Sequence, residues 1–160
     1  MNASSRLGSL VVDAEGVATL TLAMPGRVNR IDADFPAELG ALVEQALAAP
    51  EVRGVVLASA HRDFCVGADL DFVYAERDAA RVFAASSALH RVLRRLETGG
   101  KPVAAALTGS ALGGGYEIAL AAHHRVASAD ARVQVGLPEV SLGLLPGGGG
   151  TQRLPRLIGL

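Results

Sequence analysis

Cysteine and lysine are rare in this chain of 160 residues, and its net charge is small. The single cysteine, Cys65, excludes an internal disulfide framework and a cysteine metal cluster, and it agrees with a reducing compartment such as the cytoplasm. The net charge of -1 gives no reason to expect a nucleic acid or an anionic membrane as a partner. Lysine occurs once, at Lys101, which we interpret as a compositional preference for arginine.

Long, strongly hydrophobic runs are also absent. Residues 1–8 lack the basic start and the apolar stretch of a secretion signal. Residues 103–122 carry a single charge, but threonine, serine and glycine interrupt them, so they predict no membrane insertion. Half of the residues are hydrophobic and 19% are charged, which is typical of one folded domain over residues 1–160.

Several common site motifs are missing. The glycine runs lack the Lys-Ser/Thr ending of a phosphate-binding loop, and no GxGxxG follows a predicted strand. In residues 109–113 the serine stands one place too early for a nucleophile elbow. The four histidines are predicted to have surface or structural roles, because two are adjacent and diverge and two are isolated: His123, His124, His61 and His90.

Strand-like and helix-like patterns alternate along the chain, which predicts βαβ units and an α/β fold with a largely parallel sheet. The predicted strands are 9–13 and 17–24, joined as a hairpin, then 54–59, 102–107, 124–127 and 132–135. The predicted helices are one capped by Asp34 and ended by Pro50, then 75–98, 116–122 and a stretch from residue 151.

Glycine-bearing loops follow three of the buried strands, at residues 60–67, 108–115 and 136–139. The carboxyl ends of parallel strands meet at one edge of a sheet, where α/β proteins bind ligands. We therefore expect the three loops to converge on one cleft.

The first two loops predict backbone donors. Gly67 permits a sharp turn and Asp69 is placed to cap the next helix, so the amide of Ala68 can point into the cleft. Residues 113–115 precede Glu117 at a helix start, where free amides stabilise an oxyanion. The alternatives are an ordinary helix start in the first loop and close strand–helix packing in the second.

The third loop adds a second carboxylate, Glu139, which follows Pro138 among apolar residues. Partial burial would raise its pKa and suit it to donating a proton near neutral pH, whereas the alternative is an exposed loop carboxylate. Two amide donors and two carboxylates in one cleft are what proton transfer beside a thioester carbonyl requires.

Three segments resemble the enoyl-CoA hydratase/isomerase (crotonase) family: FCVGADL at 64–70, KPVAAALTGSALGGGYEIALA at 101–121 and GLPEVSLGLLPGGGGTQRLPRLIG at 136–159. The last segment is particularly similar to the hydratase module at the front of bacterial multifunctional β-oxidation α-subunits. The resemblance covers nearly the whole chain, most weakly before Gly54. It implies a crotonase-like (ββα)n spiral core, mostly parallel strands and flanking helices.

The resemblance also implies roles for individual residues. Glu117 matches the glutamate that activates water, and Glu139 matches the one that exchanges a proton with the α-carbon. The amides of Ala68 and Gly114 match the oxyanion hole. The residues that match substrate contacts are Cys65, Val66, Gly67, Ala68, Gly113, Gly114 and Pro138.

The implied reaction is the reversible addition of water to trans-2-enoyl-CoA in fatty-acid β-oxidation. It needs no metal or redox cofactor, since coenzyme A is part of the substrate. Both carboxylates together favour hydration, although an enoyl-CoA Δ3–Δ2 isomerase and a non-catalytic acyl-CoA-binding or assembly module remain alternatives. The family further implies a trimer-type homo-oligomer or a larger β-oxidation complex.

Two departures from the family pattern stand out. Asp71 lies where many relatives have a basic or polar residue near the CoA phosphates. The chain also ends at Leu160, before the helices that in the family close the acyl pocket and build trimers. We therefore expect a C-terminally truncated form of the family domain, which is the feature that favours the non-catalytic alternative.

Overall fold

A mixed sheet organises the chain, with helices packed along it. The computed structural model describes residues 2–159. Its strands are β1 Asn2–Ser4, β2 Gly8–Val12, β3 Val17–Leu22, β4 Gly54–Ser59, β5 Val103–Leu107, β6 Ala111–Leu112, β7 His124–Ala127 and β8 Val135–Gly136. Its helices are α1 Phe35–Ala48, α2 Leu70–Ala75, α3 Ala79–Thr98, α4 Gly114–Leu120 and α5 Gly150–Ile158, with a short 3-10 helix over Glu139–Leu142.

The main sheet has the strand order β1-β2-β3-β4-β5-β7. Its first two pairings are antiparallel and include the predicted hairpin, whereas the next three are parallel. Strands β6 and β8 form a separate parallel pair. In β3 the side chains alternate, with Ala18, Leu20 and Leu22 buried. The predicted α/β fold with mostly parallel strands is confirmed.

Helix α1 begins where the sequence predicted, but its cap is a different aspartate. Asp34 makes no side-chain hydrogen bond to the helix, because its own backbone is already close to helical (φ −89°, ψ −19°). Asp32 instead accepts a hydrogen bond from the Phe35 amide at 3.0 Å. Arg6 pairs with the same Asp32 carboxylate at 2.8 Å and joins the helix start to the N-terminal strands.

The predicted helix over residues 75–98 is present as α3 and ends at Thr98 as predicted, but it begins four residues later, at Ala79, and the separate helix α2 precedes it. Asp69 caps α2 by accepting from the Asp71 amide at 3.1 Å, as predicted. The break follows Ala75, where the Glu76 carboxylate accepts backbone hydrogen bonds from the next two residues. Asp78 then caps α3 through the Ala80 amide at 2.8 Å. These side-chain oxygens accept hydrogen bonds from amides that would donate to backbone carbonyls in a continuous helix.

Only the second half of α3 belongs to the core. Leu89, Val92, Leu93 and Leu96 are buried, and the bidentate pair of Arg95 with Glu44 links this half to α1. Two apolar residues of the first half are exposed, Val82 by 48% and Phe83 by 74%.

Smaller differences affect the loops around the cleft. Helix α4 begins at Gly114, two residues before the predicted start at Tyr116, and β8 covers only the end of the predicted strand 132–135. The short elements β1, β6 and the 3-10 helix were not predicted. Within residues 2–159, none of the helices combines the length and the apolar character that crossing a membrane requires.

Candidate active site

The three glycine-bearing loops meet at a cavity of about 600 Å³. It is lined from these loops, from α2 and from the first half of α3. Eight of the nine predicted site residues are among its lining residues: Val66, Gly67, Ala68, Gly113, Gly114, Glu117, Pro138 and Glu139. The predicted convergence of the three loops is therefore present.

Cys65 is the predicted site residue that does not line the cavity. Its side chain is fully buried, and burial raises the pKa of its thiol to about 12. Its carbonyl accepts a hydrogen bond from the Leu112 amide at 3.0 Å. A side chain on Gly115 would collide with this carbonyl, so α4 starts directly against Cys65. Cys65 thus supports the loops from beneath.

The turn at Gly67 and Ala68 is held by Ile31. The Ile31 amide donates to the Gly67 carbonyl at 2.8 Å, and the Ile31 carbonyl accepts from the Asp69 amide at 2.9 Å. Gly67 has φ +96°, a left-handed conformation that favours glycine. A Cβ built on Gly67 would lie 3.5 Å from the Gly114 nitrogen, so the two predicted donor loops are neighbours.

The amides of Ala68 and Gly114 are both free to act as donors. Neither donates a hydrogen bond to a protein acceptor in the part of the chain that the structure describes. Gly114 is the first residue of α4, so its amide has no acceptor within the helix. The geometry therefore offers two adjacent backbone donors at the cavity wall.

Asn29 organises the same region and was not predicted from the sequence. It is fully buried and accepts from the Met24 amide at 3.0 Å. Its side-chain amide donates to the Phe64 carbonyl and to the Ser59 hydroxyl, both at 2.9 Å. These bonds tie the chain after β3 to the loop after β4. A lone asparagine in a polar stretch gave no sequence signal for this role.

Glu117 is the better satisfied of the two carboxylates. It lies in the first turn of α4 and is 2% exposed. Its Oε1 accepts from the amides of Gly150 at 2.7 Å and Gly148 at 2.8 Å, and its Oε2 accepts from Gly148 at 2.8 Å. An ionised carboxylate can only accept hydrogen bonds, which suits a site made of backbone donors.

The glycine run, residues 147–150, is what brings these donors close. A Cβ on Gly148 would lie 2.6 Å from Oε2 of Glu117, and one on Gly150 would lie 3.0 Å from Oε1. Larger residues would therefore push the carboxylate out of its place. The run itself predicts no function from the sequence, and its contact with Glu117 is an unpredicted feature of the site.

Glu139 has the opposite environment. It begins the 3-10 helix and is 9% exposed, and its buried Oε2 has no hydrogen-bond partner among residues 2–159. Burial raises the pKa of Glu139, and the charge of Glu117 raises this pKa further. A Cβ on Gly113 would lie 2.8 Å from Oε1 of Glu139, and one on Gly114 would lie 3.8 Å from Oε2 of Glu117. Both carboxylates thus face the same glycine turn, but Glu117 accepts hydrogen bonds from two backbone amides whereas Oε2 of Glu139 has no partner.

A family model described as enoyl-CoA hydratase/isomerase matches residues 13–160. The chain is 46% identical over 148 residues to the fatty acid oxidation complex subunit alpha of Shewanella sp. W3-18-1. It is 45% identical over 148 residues to the subunit of the same name from Shewanella oneidensis. Each match covers 91% of this chain but 21% of the relative, so the chain spans about a fifth of the length of these proteins.

Solved structures are similar over almost the whole chain. An enoyl-CoA hydratase from Geobacillus kaustophilus superposes with a TM-score of 0.92 at 31% identity, covering 99% of this chain and 59% of that structure. An enoyl-CoA hydratase from Bacillus anthracis gives a TM-score of 0.83 at 36% identity, covering 94% and 58%. The crotonase-like core expected from the sequence is therefore confirmed.

Proposed function

The chain belongs to the enoyl-CoA hydratase/isomerase (crotonase) family, and we propose that its cavity is the active site of an enoyl-CoA hydratase. One observation carries the proposal. Two carboxylates face the same glycine turn in opposite environments, Glu117 with three backbone contacts and Glu139 with a buried, unpartnered oxygen. Two carboxyl groups in environments as different as these are typical of an acid and a base that act on one substrate.

The first half of the reaction belongs to Glu117. It accepts a proton from water while the water oxygen bonds to C3 of a trans-2-enoyl-CoA. The electron pair of the C2=C3 bond then moves into the thioester, and its oxygen becomes an enolate. The free amides of Ala68 and Gly114 stabilise this oxygen, and losing one such donor typically costs about 10²–10³ in rate.

The second half belongs to Glu139. The enolate oxygen re-forms the thioester carbonyl, and C2 takes the proton of Glu139, which gives a 3-hydroxyacyl-CoA. Its raised pKa means that Glu139 still carries this proton at a pH where an ordinary carboxyl has lost it. Glu117 is then protonated and Glu139 ionised, and exchange with solvent restores both. The reverse sequence dehydrates the product.

The remaining lining residues form the proposed substrate site. Val66, Gly67, Gly113 and Pro138 contact the acyl-CoA, while Cys65 acts only by supporting their loop. We assign no metal or redox cofactor, because water addition moves protons and electron pairs without net oxidation. A cytoplasmic place in fatty-acid β-oxidation belongs to the same proposal. So does assembly into a homo-oligomer or an oxidation complex, since the Shewanella relatives are named as subunits of such a complex.

An enoyl-CoA Δ3–Δ2 isomerase is the alternative within the family. It would use the same two amides, but one carboxylate, Glu139, is enough to move a proton from C2 to C4. The three contacts that hold Glu117 favour hydration, because an isomerase has no water to activate.

The two activities separate in one experiment on the purified chain with crotonyl-CoA and 3-hexenoyl-CoA. For a hydratase, Glu117→Gln lowers crotonyl-CoA hydration by about 10²–10⁴-fold, the usual range for a general base. Isomerisation of 3-hexenoyl-CoA that exceeds hydration and survives Glu117→Gln would instead identify an isomerase. Binding of acyl-CoA with no turnover of either substrate would identify a non-catalytic module.

A further inference from the structure

The glycine run is restrained by side chains from two helices. Ser86 of α3 donates to the Gly147 carbonyl at 3.0 Å, and Nη1 of Arg153 in α5 donates to the Gly148 carbonyl at 2.7 Å. Consecutive glycines have the largest conformational freedom of any backbone, so such a run does not hold its amides in one direction by itself. The directions of the two amides that contact Glu117 therefore depend on these external contacts.

Each peptide plane of the run has one group held by a neighbour. The Gly147 carbonyl and the Gly148 amide share one plane, so the bond from Ser86 helps to aim this amide at Glu117. The Gly149 carbonyl accepts from the Gln152 and Arg153 amides of α5, both at 3.0 Å, which aims the Gly150 amide at the same carboxylate. The plane between them, with the Gly148 carbonyl, is held by the Arg153 side chain.

Arg153 is itself fixed by Glu97 of α3. Its Nε donates to Oε1 of Glu97 at 2.7 Å and its Nη2 to Oε2 at 3.2 Å, a bidentate pair of side chains that are only 16% and 25% exposed. Burial alone would raise the pKa of Glu97, but hydrogen bonds from Arg153 and Arg94 lower it overall, so its charge persists. The planar guanidinium can hold a carboxylate and a carbonyl at once, which a lysine cannot do.

We propose that Arg153 and Glu97 are a positioning pair that orients Glu117 through the peptides of the glycine run. Neither residue lines the cavity, so both act without touching substrate. The kinetic consequence rests on the proposed function, because Glu117 must be the base for its orientation to affect the rate. The structural consequence, ordered amides at Gly148 and Gly150, does not depend on it.

The kinetic test removes the pair one residue at a time. Arg153→Gln and Glu97→Gln are expected to lower kcat for crotonyl-CoA hydration by about 10–100-fold, as for a catalytic group displaced by about 1 Å. KM changes little, because the substrate contacts remain. Arg153→Lys keeps the positive charge but loses the planar guanidinium that holds Glu97 and the Gly148 carbonyl at once. It is therefore expected to recover only part of the kcat that Arg153→Gln loses.

The matched control is the other bidentate pair of α3, Arg95 with Glu44, whose contacts are 2.6 and 2.9 Å. It joins α3 to α1 and makes no contact with the glycine run. Arg95→Gln and Glu44→Gln are expected to leave kcat unchanged. Equal losses of kcat in both pairs would mean that any ion pair of α3 matters through stability alone, which would overturn the proposal.

A double-mutant cycle tests whether Arg153 acts through Glu117. In a Glu117→Gln background, Arg153→Gln should remove little further activity, because the group that it orients is already gone. An undiminished loss of kcat in that background would contradict the proposed route.

Amide hydrogen exchange measured by NMR gives a readout that needs no catalysis. Exchange at Gly148 and Gly150 should accelerate by about tenfold or more in Arg153→Gln, as expected when a local restraint is lost, and should stay unchanged in Arg95→Gln. Unchanged exchange in Arg153→Gln overturns the positioning role. If the wild-type chain hydrates no enoyl-CoA, the proposed function fails, yet this exchange experiment still decides between the two outcomes for Arg153.

Discussion

The backbone amide of Gly148 lies 2.8 Å from both carboxylate oxygens of Glu117. This contact joins two parts of the chain that the sequence presents as separate motifs, a glutamate that follows three glycines and a second glycine run 31 residues later. It makes the second run part of the site. Glu139, on the other side of the glycine turn, has instead a buried Oε2 with no hydrogen-bond partner among residues 2–159.

Adding a methyl group at Gly148 should displace Glu117. The new Cβ would lie 2.6 Å from Oε2 and 2.9 Å from the carboxyl carbon, so the side chain must move. We expect Gly148→Ala to lower kcat for crotonyl-CoA hydration by about 10²-fold, the effect of misplacing a reacting group by about 1 Å. Gly136→Ala is the control, since no atom lies within 4 Å of its added Cβ. Equal activity of the two variants would contradict the role of the contact.

The turn at Gly67 should be as demanding as the glycine run. Gly67 has φ +96°, and an added Cβ would lie 3.0 Å from the Leu112 carbonyl and 3.5 Å from the Gly114 amide. Gly67→Ala is therefore expected to disturb both backbone donors and to lower kcat by about 10²–10³-fold. Gly100→Ala, at φ +82° with open space around it, imposes a similar left-handed strain away from the site. It should lose stability but keep its kcat.

Glu139 should make the protein less stable as the pH rises. Its pKa is raised in the folded state, so the unfolded chain ionises first and the folded state is relatively favoured below the ordinary carboxyl pKa. This advantage is lost as the pH rises through the raised value. Glu139→Gln removes the penalty, and its Tm relative to wild type should increase from about pH 4 to about pH 8. A Tm difference that stays constant over this range would contradict the raised pKa.

The N-terminus of α1 offers a comparison of two neighbouring aspartates. Asp32 accepts from the Phe35 amide and pairs with Arg6, whereas Asp34 makes no cap hydrogen bond. Asp32→Ala should lower the free energy of unfolding by about 1 kcal/mol or somewhat more, as for other lost caps. Asp34→Ala should change it by less than about 0.5 kcal/mol. Urea denaturation of both variants measures the difference, and the reverse order would restore Asp34 as the cap.

Local patterns predicted most of the fold. The alternation in β3 and the apolar runs of β4 and β5 identified strands because each reports burial along a few consecutive residues. The helix predicted from residue 75 begins only at Ala79, and the early start was predicted because the three residues that separate it from α2 contain neither glycine nor proline. Glu76 and Asp78 end one helix and start the next through side-chain acceptors, which resemble ordinary charged residues of a helix surface.

The candidate site was predictable only in part, because some of its residues act through contacts with residues that are distant in the sequence. Glu117 and Glu139 stand beside glycine or proline, so unusual local backbone drew attention to them. Asn29 acts through its contact with Phe64, which lies 35 positions away in the sequence. Arg153 acts through its contact with Glu97, which lies 56 positions away. Such contacts exist only in the folded chain and leave no periodic or local signal in the sequence.

Crotonyl-CoA hydration by the wild-type chain, Glu117→Gln and Glu139→Gln tests the two-carboxylate proposal most directly. We expect measurable wild-type turnover, and both variants should lose about 10²–10⁴-fold in kcat while remaining folded, because each removes one proton-transfer group. Wild-type turnover that neither substitution reduces would contradict the assignment of Glu117 and Glu139 as the base and the acid.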